Sequence, residues 1–416
     1  MRFEQTLTAI FVAVACASPL HAQDLARDFD RALSFDPGYL ASLAERDATL
    51  VQARQSAAAY YPEASFNTSR LQTDTGNRRT FTITQPIFSV DRWAMLEQAA
   101  PRTALAEAGL LVKQQDLALR LLKAANAIIL ASENLQLNQS KIDALEQQSL
   151  AAEQKYKLGQ GTVTDLRDLQ VKAKQARAQQ LTLKSQQQVA AQQYAALVGE
   201  RPELASFALP QGSPALPASS LQELVDQALQ ANPAILSARA SEQIAALDVK
   251  KARGSLLPTV SASYSSSKSG SVSNNYTGVT MNVPLQAGSW LGVEAAQANA
   301  LKARESRKEA ESKTRVEAER LYSLIQAGDE SLRIQREAIA AAELSVEANR
   351  QSYQGGVRSA VDVINAIQTV FQVKSDYATM AAQQAEHHLS LATLAQGDTR
   401  DAALKTFSAL FAKNVQ

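Results

Sequence analysis

The chain of 416 residues has a single cysteine, Cys16. That excludes a disulfide framework and any zinc site built on cysteine. Of three histidines, only His387 and His388 lie beyond the N-terminal segment, which leaves little from which to make a histidine-ligated metal centre or a Ser-His-Asp triad. There is no Gly-Lys dipeptide, His-Glu-x-x-His, Cys-x-x-Cys or Gly-x-Ser-x-Gly, so the common nucleotide, metalloprotease, redox and hydrolase signatures are all missing. The chain reads as a non-enzyme with no cofactor. Neither sign of charge dominates: Lys+Arg is 42 and Asp+Glu is 41, which argues against a nucleic-acid binder. Beyond residue 22 no run of 18 apolar residues exists, which excludes an inner-membrane helical protein. A membrane β-barrel escapes that test, because its strands are only about ten residues long.

What is present begins with an address. Residues 1–22 carry Arg2, an apolar stretch from Leu7 to Ala17, then Pro19 and Ala22. The pattern predicts a secretory signal peptide cut after Ala22, with Ala17 as second choice. Acylation of Cys16 is the competing reading; Ala13-Val14-Ala15 before it lacks the usual leucine.

The remainder is written twice. Ala32-Leu33 and Asp36-Pro37, followed by Pro62, return as Ala228-Leu229 and Asn232-Pro233, followed by Pro258. Gln85-Pro86 with Trp93 returns as Val283-Pro284 with Trp290. Tyr156, Gly159 and Thr164-Asp165-Leu166 return as Tyr353, Gly356 and Val361-Asp362-Val363. The predicted organisation is a first repeat at 23–198, a Pro-rich linker at 199–220, a second repeat at 221–397 and a tail at 398–416. Each repeat holds a helix (about 38–60 and 234–256), a β-hairpin (about 62–88 and 258–285) and a helical hairpin (about 90–198 and 289–396). In the β-hairpins, turns are expected at Thr73–Arg79 and Ser269–Asn275. Phe81 and Ile83, and Val279, Met281 and Val283, share one face of each outgoing strand, while Thr and Asn take the other. Such alternation suits a barrel with a wet lumen, or a hairpin packed on a soluble domain.

From Arg102 to Leu158, and from Val293 to Gln354, there is no proline and one glycine each. Helices of roughly 85–93 Å follow at 1.5 Å per residue. Leu121, Ile128, Leu135, Ile142 and Tyr156 repeat at multiples of seven, as do Ile325, Leu332, Ile339, Val346 and Tyr353; this is a narrow coiled-coil seam. Gly159-Gln160-Gly161 and Gly355-Gly356 turn each long helix into a second, about 163–198 and 360–396. Four strands are too few for a membrane barrel, whose smallest form needs about eight. If the hairpins span a membrane, several copies must share one barrel, since lipid tolerates no open sheet edge. The long helices must then project from it as a tube.

The duplicated openings, together with the tips YKLGQGTVTDL (156–166) and YQGGVRSAVDVINA (353–366), resemble the TolC family of outer-membrane efflux and secretion channels. The resemblance covers essentially the whole mature chain. It implies a mainly α fold with a small β part: a homotrimer with a 12-stranded membrane barrel continued by a long α-helical barrel in the periplasm. The linker and tail would form an equatorial girdle. It further implies a passive conduit for type I protein secretion or small-molecule efflux, docked through a periplasmic adaptor onto an inner-membrane ABC or proton-driven transporter. By matching positions, Thr164, Asp165, Tyr353, Arg358, Asp362 and Asn365 would form the periplasmic gate, with Tyr353 paired to Asp165 and Arg358 to Thr164. Gly159, Gly161, Gly355 and Gly356 would shape the turns that meet the adaptor. A second reading of the same features is a pore-free periplasmic or secreted coiled-coil scaffold.

Overall fold

Capping residues set the start of each half. Asp36 accepts a hydrogen bond from the Tyr39 N–H at 2.8 Å and opens α2 (Pro37–Ala57) behind α1 (Leu25–Phe35). Asn232 accepts from the Ala234 N–H at 2.9 Å and opens α7 (Pro233–Gly254) behind α6 (Leu221–Ala231). Proline follows each cap, where its missing N–H costs nothing. The structure is a computed structural model and describes residues 25–70, 77–284 and 288–411. The expected signal peptide and Cys16 lie outside them.

Two antiparallel pairs follow the helix pairs: β1 (Glu63–Ser69) with β2 (Arg78–Phe88), and β3 (Thr259–Ser269) with β4 (Val272–Asn282). β2 also pairs with β3, so the two hairpins make one sheet ordered β1-β2-β3-β4. The second turn is shorter than the sequence suggested. It is Gly270-Ser271 alone, and Ser273, Asn274 and Asn275 pair with Lys268, Ser267 and Ser266. Serine and asparagine favour turns locally, but β3 offers each a ladder partner, and pairing overrides propensity. Gly270 has φ +58°, which the first central position of such a two-residue turn requires. Of the first expected turn, residues 73–76 fall outside the described segments, while Arg78 and Arg79 already belong to β2.

In the first copy the long helix is interrupted. Pro101 has no N–H to give to Glu97, and the chain separates into α3 (Val90–Glu97) and α4 (Ala99–Lys157) around Gln98. α8 (Ser289–Gln354) runs unbroken for 66 residues, roughly 100 Å. α5 (Val163–Val198), α9 (Ala360–Ala395) and α10 (Thr399–Leu410) complete the chain. Around the tips the helices form a layer ordered α5-α4-α9-α8: α4 packs on both α5 and α9, and α8 packs on α9. Of the seam residues of α4, Ile142 is buried in this layer and Leu121 and Ile128 are buried further along the helix, whereas Leu135 is only partly so. At mid-height a second cluster joins Phe29 of α1, Leu121 of α4, Tyr194 of α5, Leu389 of α9 and Phe407 of α10. There the linker meets the tail: the Gln211 and Gly212 N–H groups both reach the Leu410 carbonyl at 3.2 Å.

Candidate functional site

The sheet has two chemically different faces. Antiparallel partners share a face, so the register can be read in rows. Phe88, Val260 and Met281 form the row nearest the helices; Gln85, Ala262 and Val279 the next; then Ala64, Ile83, Tyr264 and Thr277; then Phe66, Phe81, Ser266 and Asn275. Phe66, Phe81, Ile83, Tyr264, Val279 and Met281 are exposed. Six residue steps, from Val260 to Ser266, span about 20 Å. Val283 lies one residue past β4, exposed and in the same alternation. Ile87, Trp93 and Trp290 are exposed near the helical end, where aromatic residues suit a membrane–water boundary.

The opposite face carries Asn67, Thr80, Thr82, Thr84, Ser261, Ser263, Ser265, Ser267, Asn274, Thr280 and Asn282. The Thr82 and Ser265 hydroxyls lie 3.2 Å apart across strands. The only charges on this face among the described strand residues are Arg78 at the far end and Glu63 at the helical end, where Arg92 pairs with it at 2.6 Å. A face of hydroxyls and amides is wettable without fixing a charge preference.

At the opposite end of the molecule lie two similar tips. Gly159 and Gly356 have φ +70° and +75° with open space around a would-be Cβ. They are required for backbone conformation, not for room. The Gln160 N–H reaches the Lys155 carbonyl at 2.8 Å, and the Val357 N–H the Ser352 carbonyl at 2.9 Å, the closing bonds of a left-handed helix cap. Gly161 answers a different need: a Cβ there would stand 3.1 Å from that of Lys155. Gly355 has ordinary φ and only ordinary contacts.

Both predicted gate carboxylates lie in the first turn of a helix and bond to its N-cap residue, Thr162 or Ser359. Asp165 accepts from the Thr162 hydroxyl at 2.8 Å and its N–H returns to that hydroxyl at 3.1 Å. Asp362 accepts from the Ser359 N–H at 3.0 Å and the Ser359 hydroxyl at 2.9 Å. The Ser359 N–H and hydroxyl, and then the charge of Arg358, hold the Asp362 carboxyl below its ordinary value. The expected pairs are therefore not the ones made within one chain. Asp165 is engaged by Thr162, and Arg358 lies 4.0 Å from Asp362; Thr164 and Asn365 are exposed. Tyr353 is buried, and burial first, then the charge of Asp165, push its phenol up.

The bond that does join the tips is one the sequence did not reveal. The Lys155 ammonium donates to the Tyr353 carbonyl at 2.7 Å and sits 4.0 Å from the centre of its ring. It ties the end of α4 to the end of α8, 198 positions apart. Its signal was only a lysine next to a heptad tyrosine. Among the described residues no group of three or more His, Cys, Asp or Glu is placed to hold a metal, and no helix is long and apolar enough to cross a membrane.

Comparison with known proteins adds four findings. A family described as outer membrane efflux protein matches residues 29–200 and 224–396, one stretch per copy. The outer membrane protein TolC of Vibrio cholerae is 25% identical over 398 residues, covering 89% of this chain and 90% of that one. The alkaline protease secretion protein AprF of Pseudomonas aeruginosa is 26% identical over 329 residues, covering 73% and 68%. The outer membrane protein VceC of Vibrio cholerae has the same fold, with a TM-score of 0.76 at 18% identity over 90% of this chain and 96% of that one.

Proposed function

The chain belongs to the outer membrane efflux protein family, channels of the outer membrane with a helical barrel in the periplasm and not enzymes, and from that premise we propose that three copies close into one continuous export conduit. Four strands from each of three copies give twelve. The observation that carries the reading is a matching pair of open edges. β1 and β4 each have one neighbour in the sheet. α5 and α8 flank the helical layer, and they expose Leu181 and Val189, and Ile334 and Leu344. A head-to-tail ring joins β4 to the next β1 and α8 to the next α5, leaving no edge. Phe81, Ile83, Val279, Met281 and Val283 then face lipid, and the hydroxyl face lines water.

The cargo is a polypeptide exported by a type I system, a reading supported by a relative named for alkaline protease secretion; small-molecule efflux would use the same passage. Energy comes from an inner-membrane transporter, reached through a periplasmic adaptor at the turns around Gly159, Gly161, Gly355 and Gly356. Three tips converge on the ring axis. Thr164, Asp165, Arg358, Asp362 and Asn365 narrow the passage there, and the Lys155–Tyr353 tie holds the two hairpins of each chain together in the closed form. Sedimentation of the detergent-solubilised protein should give a trimer, and the same material should conduct in planar bilayers. A soluble monomer without conductance would leave only the scaffold reading.

A further inference from the structure

We propose that the outward side of the hairpin ends, centred on Arg79 and Lys268, binds the phosphate of a lipid headgroup at the outer rim of the membrane. The proposal rests on the sheet being part of a membrane barrel. Arg79 stands directly opposite Lys268 in the β2–β3 register. Like charges in that position repel, so the arrangement needs a counter-charge. The strands do not supply one. Their only acidic residue is Glu63, at the helical end, where it is paired with Arg92 at 2.6 Å. Between Glu63 and Asp91 the sequence has a single acid, Asp74, outside the described residues, and between Asp248 and Glu294 it has none. Among the described residues neither Arg79 nor Lys268 has an ion pair, and both are exposed.

Position identifies the partner. The two cations form the row that follows Phe66 and Phe81 on the apolar face. Lys268 is eight residues along β3 from Val260, about 26 Å along the strand, or about 20 Å along the membrane normal at a barrel tilt of about 40°. That is close to the height of an outer-membrane apolar band, about 25 Å. Both heads therefore emerge where hydrocarbon gives way to headgroups, with their stems lying over apolar surface. Arginine offers a phosphate two parallel N–H donors and lysine adds a point charge. Arg78, one residue away, belongs to the other face, in a row with Ser69 and Ser269. It has the same charge at the same height but no access to lipid.

The test uses the full-length protein in phosphatidylcholine vesicles doped with spin-labelled phosphatidylglycerol or spin-labelled phosphatidylcholine. The readout is the immobilised fraction of each label. Wild type should prefer the anionic lipid by roughly fivefold, the effect of one effective cation near the surface. Arg79→Gln with Lys268→Gln should bring the ratio near unity, while Arg78→Gln should leave it unchanged. Excess inorganic phosphate should not remove the preference; if it does, the site is one for free anions and the lipid assignment fails. Equal preference in wild type and the double variant, or equal losses in Arg78→Gln and Arg79→Gln, overturns the inference while the barrel stands. Failure of wild type to enter either vesicle overturns the barrel and the inference together.

Discussion

The first and second copies share a plan and differ in where each long helix lies. In the first, α4 lies between α5 and α9, and its seam residues Leu121, Ile128 and Ile142 are buried within one chain. In the second, α8 flanks the layer, exposing Leu344 to 72%. The caps differ too. Asp36 is a buried carboxylate bonded to Arg120 at 3.0 Å, whereas Asn232 is a neutral amide donating to the Leu394 carbonyl at 3.3 Å. At the tips, Tyr156 is 47% exposed and its counterpart Tyr353 only 7%. One duplicated sequence has thus supplied a central helix that stabilises the protomer and an edge helix left free for a neighbour.

The strongest challenge to that contrast is a pair of truncations. Leu121→Ala, in the fully buried seam of α4, should destabilise the protomer by about 2–5 kcal/mol. Leu344→Ala should leave protomer unfolding within about 0.5 kcal/mol of wild type yet weaken association. Denaturant unfolding and sedimentation separate the two effects; protomer losses of equal size would mean that α8 is no edge.

Next in size is the sheet, where the copies should behave alike. Ile83→Arg and Val279→Arg should each lower the stability of the inserted protein by about 2–4 kcal/mol, if they lie near mid-bilayer. Ser263→Arg, on the hydroxyl face, should be milder. If either copy tolerates the charge, the two hairpins do not share one lipid face.

The caps should differ in their response to acid. Burial raises the Asp36 pKa, but the Arg120 hydrogen bond, the Tyr39 N–H and the charge of Arg120 outweigh it and hold the group below its ordinary 3.8. A carboxyl depressed in the folded state stabilises fully above its unfolded value and loses that contribution as pH falls through the folded one. Asp36→Ala should cost about 1–2 kcal/mol at neutral pH, and Asp36→Asn should flatten the acid limb of the stability curve. Asn232→Ala should cost about 1 kcal/mol with no change in that limb. Thermal melts from neutral to acidic pH read both.

The smallest contrast lies within one tip. Gly356→Ala should cost about 1 kcal/mol because of its positive φ, as should Gly159→Ala. Gly355→Ala should change stability by no more than a few tenths of a kcal/mol. Equal effects at 355 and 356 would show that the turn relaxes on substitution.

Most of the frame was legible because its causes are local. A side-chain oxygen followed by proline opens α2 and α7, a glycine at positive φ ends α4 and α8, and alternation separates the faces of β2 and β4. The expectation differed where a local signal met a pairing partner: Ser273 to Asn275 read as turn, but β3 pairs with them. At the tips, Thr162 and Ser359, three residues before Asp165 and Asp362, engage those carboxylates within one chain. The proline-free run from Arg102 lies within α4 as far as Lys157, and Pro101, just before it, marks where the shorter α3 ends.

By itself the sequence determined the duplication, from identities repeated along the chain, and the long seamed helices, the turn glycines and the two-faced strands, since each of these depends on residues within a turn or two of one another. Only the tertiary structure decided that β2 pairs with β3, that α4 is central and α8 an edge, and that Lys155 holds Tyr353. Those contacts join distant positions, 183 apart for Thr82 and Ser265 across β2 and β3 and 198 apart for Lys155 and Tyr353. No spacing rule reaches that far; they follow from which buried faces and unpaired edges can be satisfied together.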